Sequence, residues 1–129
     1  MRKILIVNDS ATINKILAHN FEAEGFLVET VVTGREGISR AKENKYDIIL
    51  LDYHLPDING DLVARAVKND KNAKGIPLYF ISALEKETMD KVIAETGAQG
   101  WFDVTAEVEA VVKNIKELLN PKRCTLNYE

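Results

Sequence analysis

At 129 residues the chain has the length of one domain, enough to bury about two thirds of the surface that its unfolded form exposes. Hydrophobic content of 46% and charged content of 29% are ordinary for a soluble globular protein. A net charge of −3 gives no general attraction to nucleic acid or anionic lipid, and no apolar run is long enough to span a membrane.

The single cysteine, Cys124, cannot form an internal disulfide, which fits a reducing cytoplasm. Met1 to Val7 resembles the start of a signal peptide, but the apolar run stops at Asn8-Asp9 and is too short for one. A cytoplasmic location is therefore expected.

In chain order, Ile4 to Val7 reads as a first strand, ending at Asn8-Asp9-Ser10, where Asp9 or Ser10 can cap the helix that follows. Ile13, Leu17 and Phe21 repeat at helical spacing up to Gly25, a helix stop. Leu27 to Val32 is a strand of mixed character, expected near a sheet edge. Thr33-Gly34 opens a second helix, which passes through Ile38 and Ala41 and ends near Asn44. Ile48 to Leu51 are four aliphatic residues in a row, too short for a lone helix and suited to a strand buried on both faces. Asp52 follows at once. Pro56 and Gly60 then turn the chain, Pro56 by fixing one backbone angle and Gly60 by tolerating angles that other residues avoid.

The third helix runs from Asp61 to Lys68 with Leu62, Val63, Ala66 and Val67 as its apolar stripe, and Asn69 to Pro77 is a polar loop. Leu78 to Ile81 is the fourth strand, ending at Ser82-Ala83. Glu85 to Thr96 is the fourth helix, carrying Met89, Val92 and Ile93. Gly97 to Gly100 turns into Trp101-Phe102, a short fifth strand, and Thr105 to Leu119 is the last helix, stopped by Pro121. Five strands alternating with five helices predict an α/β fold, a parallel sheet covered on both faces with right-handed crossovers.

In an open α/β sheet the carboxyl ends of the strands form the ligand crevice. Strand one delivers Asn8 and Asp9 there, strand three Asp52 and strand four Ser82. A strand order of 2-1-3-4-5, the flavodoxin-like doubly wound arrangement, brings these ends together. Two carboxylates and an amide in one crevice call for a proton or a divalent cation. Oxygen ligands without Cys or His clustering suit Mg²⁺.

On these residues the chain resembles the receiver domain of two-component response regulators, chemotaxis regulators included. The matching positions are Asn8-Asp9 after strand one, Asp52 with its Pro56 and Gly60 spacing, Ser82-Ala83, and Gly97-Ala98-Gln99-Gly100-Trp101. The resemblance covers the chain to about residue 119, implying a receiver domain over 1–120 and a flexible tail over 121–129. It implies that Asp52 is the phosphoacceptor, taking a phosphoryl group from a histidine kinase or phosphotransfer protein. It further implies that Asp9, Asp52 and the backbone carbonyl of His54 hold Mg²⁺, that Ser82 bonds the phosphoryl group, and that Trp101 stands at the aromatic switch position. The implied output is protein–protein binding through the face of the fourth helix, fifth strand and last helix. No enzyme activity is implied beyond Mg²⁺-dependent self-phosphorylation and slow self-dephosphorylation. With no nucleic-acid-binding or catalytic output segment in 129 residues, the chain is either a stand-alone regulator or a receiver cut from a longer protein.

The sequence departs from the family pattern at two places. Asn8 stands where the first of two paired acids is usual. An amide oxygen can still bond a metal-bound water but brings no charge, which implies weaker Mg²⁺ binding. Val104 stands where the family has Lys, and Thr105 where Pro follows it. A Val cannot pair with a phosphoryl oxygen, which implies a weak conformational response. Two other readings follow: a degenerate pseudo-receiver that binds partners independently of phosphorylation, and a flavodoxin-like enzyme or mononucleotide binder on the same fold. The last lacks support, because no phosphate loop and no Gly-rich turn follow strand one.

Overall fold

The computed structural model describes residues 2–103 and 108–119. Five strands, β1 (Lys3–Val7), β2 (Leu27–Val31), β3 (Ile48–Asp52), β4 (Leu78–Ser82) and β5 (Gly100–Asp103), form one parallel sheet in the order β2-β1-β3-β4-β5. The intervening helices are α1 (Ala11–Ala23), α2 (Gly34–Glu43), α3 (Gly60–Asn69) and α4 (Lys86–Thr96), with α5 (Val108–Leu118) last. The predicted fold class and strand order hold, and the mixed strand β2 is at an edge, as its polarity required. Val104, Thr105 and the predicted tail, 121–129, lie outside the described residues.

Side chains alternate across each strand, so the sheet builds two cores. Leu5, Val7, Ile49, Leu51, Leu78 and Phe80 face α2, α3 and α4, meeting Ala41, Val63, Val67 and Met89. Ile4, Ile6, Ile48 and Leu50 face α1 and α5, meeting Leu17, Phe21, Val112 and Ile115. The central strands β1 and β3 are thus buried on both faces, and their unbroken aliphatic runs follow from that. Burying both faces fixes what stands at the strand ends.

Two helix faces differ from the sequence reading. On α3, Leu62 is exposed, while Gly60, Val63, Ala64 and Val67 are buried. The stripe is rotated toward the small residues, which let α3 approach the sheet closely. On α1 the buried set is Asn14, Leu17 and Phe21, with Ile13 half-buried at the margin.

Gly60 also has a different role from the one its flexibility suggested. Among the described residues only Gly25 (φ 91°) and Gly97 (φ 79°) take left-handed angles. At Gly60 the constraint is space: a Cβ there would lie 2.5 Å from the Asp52 carbonyl oxygen, 2.9 Å from Tyr53 Cα and 3.1 Å from Phe80 Cε1. The Gly60 N–H donates to the Tyr53 carbonyl at 2.6 Å. The start of α3 is thereby pinned against the end of β3, and the loop between them is closed at its base.

Candidate functional site

The carboxyl ends of β1, β3 and β4 open into a cleft of about 330 Å³ lined by Asn8, Asp9, Asp52, His54, Ser82 and Leu84, among others. All the residues predicted to carry the chemistry within the described part of the chain therefore converge, except Trp101. Trp101 is half-buried, pairs with Phe80 across β4 and β5, and packs on the core side of α3 and α4. Val104 lies outside the described residues.

Asp52 ends a strand whose preceding residues are wholly buried, and is itself only half-buried. Burial raises its carboxyl above the ordinary value, and the charge of Asp9 raises it further. The backbone N–H groups of His54 and Tyr53 and the charge of the His54 ring act the other way without cancelling the shift. This coupling is the electrostatic sign that Asp9 and Asp52 address the same space.

Asp9 is exposed and is not the helix cap: Ser10 fills that role, its Oγ accepting from the Ile13 N–H at 3.3 Å. Asp9 is therefore left to the cleft. Asn8 is buried, and its Nδ2 has no hydrogen-bond partner. The Asn14 amide donates to the Asn8 carbonyl at 2.8 Å, holding the turn from β1 into α1.

Ser82 is buried, and its Oγ accepts from the Leu84 N–H at 3.0 Å. A hydroxyl that accepts there keeps its proton to donate. The bond orients Ser82 without consuming its donor. His54 is exposed at the cleft rim.

The residues that line the cleft suit a hard divalent cation: two carboxylates, an amide and a hydroxyl, with no Lys or Arg among the described residues there. Only two carboxylates contribute. No group of three or more His, Cys, Asp or Glu side chains suited to a metal assembles anywhere among the described residues.

Two residues that matter here were not singled out from the sequence. Asn14 was detectable, since it shares the 14-17-21 helical face with Leu17 and Phe21 and is a polar residue there. Asp57 was not. Its Oδ1 accepts from the Gly34 N–H at 2.8 Å and its Oδ2 from the Arg35 N–H at 3.0 Å, tying the loop after β3 to the first turn of α2. Nothing local in the sequence announces a partner more than twenty residues upstream.

A five-stranded doubly wound sheet with paired carboxylates and a hydroxyl at its carboxyl edge defines a receiver-type signalling domain. The response regulator receiver domain profile matches residues 4–117, and the chain belongs to that family. Protein PilH of Pseudomonas aeruginosa is 31% identical over 120 residues, covering 92% of this chain and 98% of PilH. Response regulator ArlR of Staphylococcus saprophyticus is 32% identical over 120 residues, covering 92% of this chain and 53% of ArlR. The chain thus spans about half the length of several curated relatives it matches. The solved chemotaxis protein CheY4 of Vibrio cholerae superposes with a TM-score of 0.85 at 27% identity, covering 92% of this chain and 99% of CheY4. The chain is a receiver domain of two-component signal transduction, and the pseudo-receiver reading is not favoured. No helix among the described residues is long and apolar enough to cross a membrane.

Proposed function

We propose that Asp52 is the phosphoacceptor, and that it takes a phosphoryl group from the phosphohistidine of a histidine kinase or phosphotransfer protein. The observation that carries this reading is the cleft itself, in which Asp52 shares one space with Asp9, Asn8 and Ser82. A carboxylate oxygen of Asp52 attacks phosphorus, the P–N bond breaks, and its electron pair leaves with the imidazole of the donor. Phosphoryl transfer of this kind depends chiefly on positioning and charge neutralisation.

Asp9, Asp52 and the His54 backbone carbonyl would hold Mg²⁺, and Asn8 would reach it through a bound water. When bound, the cation neutralises charge on the transferring oxygens. Asp52 is held on a rigid strand and supplies the nucleophile. Ser82, aligned by the Leu84 N–H, donates its proton to a phosphoryl oxygen. Leu84, half-buried over the cleft, limits access of water to the acyl phosphate. Trp101 and the faces of α4, β5 and α5 carry the response to a downstream protein. A cytoplasmic location and a receiver unit spanning residues 1–120 accord with this role.

The test is incubation with a small phosphodonor and Mg²⁺ followed by intact mass. One phosphoryl adduct is expected in the wild-type chain and none in Asp52→Asn. An adduct that persists in Asp52→Asn, or none in the wild type, overturns the assignment.

A further inference from the structure

The loop from Tyr53 to Asn59 is held at two points. At its base, the Gly60 N–H donates to the Tyr53 carbonyl at 2.6 Å. At its middle, the Asp57 carboxylate accepts from two N–H groups of the first turn of α2, Gly34 at 2.8 Å and Arg35 at 3.0 Å. Those N–H groups have no partner within their own helix, and a carboxylate is favoured at a helix N-terminus. The remaining donors of that turn are met locally: the Glu36 N–H by Thr33 Oγ1 at 3.2 Å, and the Gly37 N–H by the Thr33 carbonyl at 3.1 Å.

The latch is also a steric fit. A Cβ on Gly34 would lie 2.6 Å from Ile58 Cγ1 of the loop and 2.8 Å from Val63 Cγ2 of α3, so α2 meets both closely at this point. Between the base tie at Tyr53 and the latch at Asp57 lie only His54, Leu55 and Pro56. Pro56 has one fixed backbone angle, and Leu55 is packed against the core. The backbone of His54 therefore has little freedom while the latch is closed.

We propose that Asp57 is a positioning residue: by latching the loop to α2, its carboxylate holds the His54 carbonyl in place for the divalent cation. The proposal rests on the reading of Asp9, Asp52 and the His54 carbonyl as the Mg²⁺ site. It gives the cleft a supporting contact on α2, a helix that contributes no residue to the cleft lining. Supporting groups of this kind act on affinity through the ligand they orient.

The experiment is a titration with Mg²⁺ alone, followed by amide chemical shifts, on the wild-type chain, Asp57→Ala, Asp57→Asn, Thr33→Ala and Asp52→Asn. Thr33→Ala removes the other side-chain cap of the same turn without touching the loop, and so reports what weakening α2 alone does. Asp57→Ala should weaken Mg²⁺ binding by about tenfold, the low end for loss of a supporting group. Asp57→Asn, which keeps one acceptor oxygen, should fall between it and the wild type. Thr33→Ala should lower the melting temperature and keep the wild-type affinity. Wild-type affinity in Asp57→Ala, or an equal loss in Thr33→Ala, overturns the latch while leaving the metal site standing. Mg²⁺-dependent shifts that survive in Asp52→Asn, or none in the wild type, overturn the site reading and the latch with it.

Discussion

Replacing Gly60 by Ala separates two accounts of that position by the sign of the effect. By helix propensity alone, Ala at the start of α3 should stabilise the domain by up to about 1 kcal/mol. The structure predicts the reverse. The new methyl would sit 2.5 Å from the Asp52 carbonyl oxygen and 2.9 Å from Tyr53 Cα, both backbone atoms at the end of a buried strand. Neither can rotate away. Overpacking costs about 1–3 kcal/mol where side chains can adjust, and a backbone neighbour places Gly60→Ala at or above the upper end. Set against the propensity gain, a net loss of about 2 kcal/mol remains. For a domain of this size that lowers the melting temperature by about 6–12 °C. Gly75→Ala is the control, because nothing lies within 4 Å of a Cβ there and its φ is not left-handed. It should be neutral or stabilising by up to about 1 kcal/mol. Thermal denaturation by circular dichroism reads both variants. An unchanged or raised melting temperature in Gly60→Ala would refute the steric account and return Gly60 to being a residue chosen for flexibility.

Asp52 has a raised folded-state pKa, so its contribution to stability is fullest below the ordinary carboxylate range and is lost as pH rises through the raised value. Asp52→Asn should therefore melt above the wild type at pH 7 without Mg²⁺, with the gap closing as pH falls; calorimetry showing a pH-independent gap would contradict this. Asn8→Asp places a third carboxylate at a buried position beside Asp9 and Asp52. It should lower the melting temperature in chelator and tighten Mg²⁺ by about tenfold, or 1.4 kcal/mol, measured by titration calorimetry; unchanged affinity would mean that this position does not tune the metal. Leu84→Ala keeps the N–H bond to Ser82 and removes the side chain over the cleft. The phosphoryl adduct should then decay faster by intact mass, and an unchanged decay would show that Leu84 does not shield it.

Sheet and cleft were legible because β1, β3 and β4 are short apolar runs and the polar residue at or just past the end of each marks the carboxyl edge. Parallel order does the rest, collecting the Asn8-Asp9 pair, Asp52 and Ser82 from three strand ends far apart in sequence. Helix faces were less legible. The alternation of large and small residues in Leu62-Val63-Ala64 does not say which side of α3 meets the sheet, because Ala can serve as core where the backbone comes close. Asn14 was hidden by its polarity, although its spacing from Leu17 and Phe21 placed it inside. Gly60 was assigned the right importance for the wrong cause, since a sequence does not distinguish a glycine needed for its angles from one needed for its size. Asp57 could not be read at all, because its partners belong to a helix start brought alongside by the crossover between β2 and β3.

The two departures from the family pattern are opposite in charge. On the resemblance, Asn8 stands where a family acid is usual and Val104 where the family Lys is usual. On the proposed reading, a cation would meet two carboxylates, and a phosphoryl group on Asp52 would meet the neutral Ser82 hydroxyl. Charge-assisted hydrogen bonds contribute about twice what neutral ones do, so on that reading both states of the site would be held less firmly. What remains is geometry: Asp52 on a rigid strand, Ser82 oriented by the Leu84 N–H, the turn at Asn8 held by Asn14, and the loop at His54 latched by Asp57. With less charge to organise ligands, such supporting contacts carry a larger share of the specificity. Their loss should therefore cost more here than where a full set of charges can recruit the cation by itself.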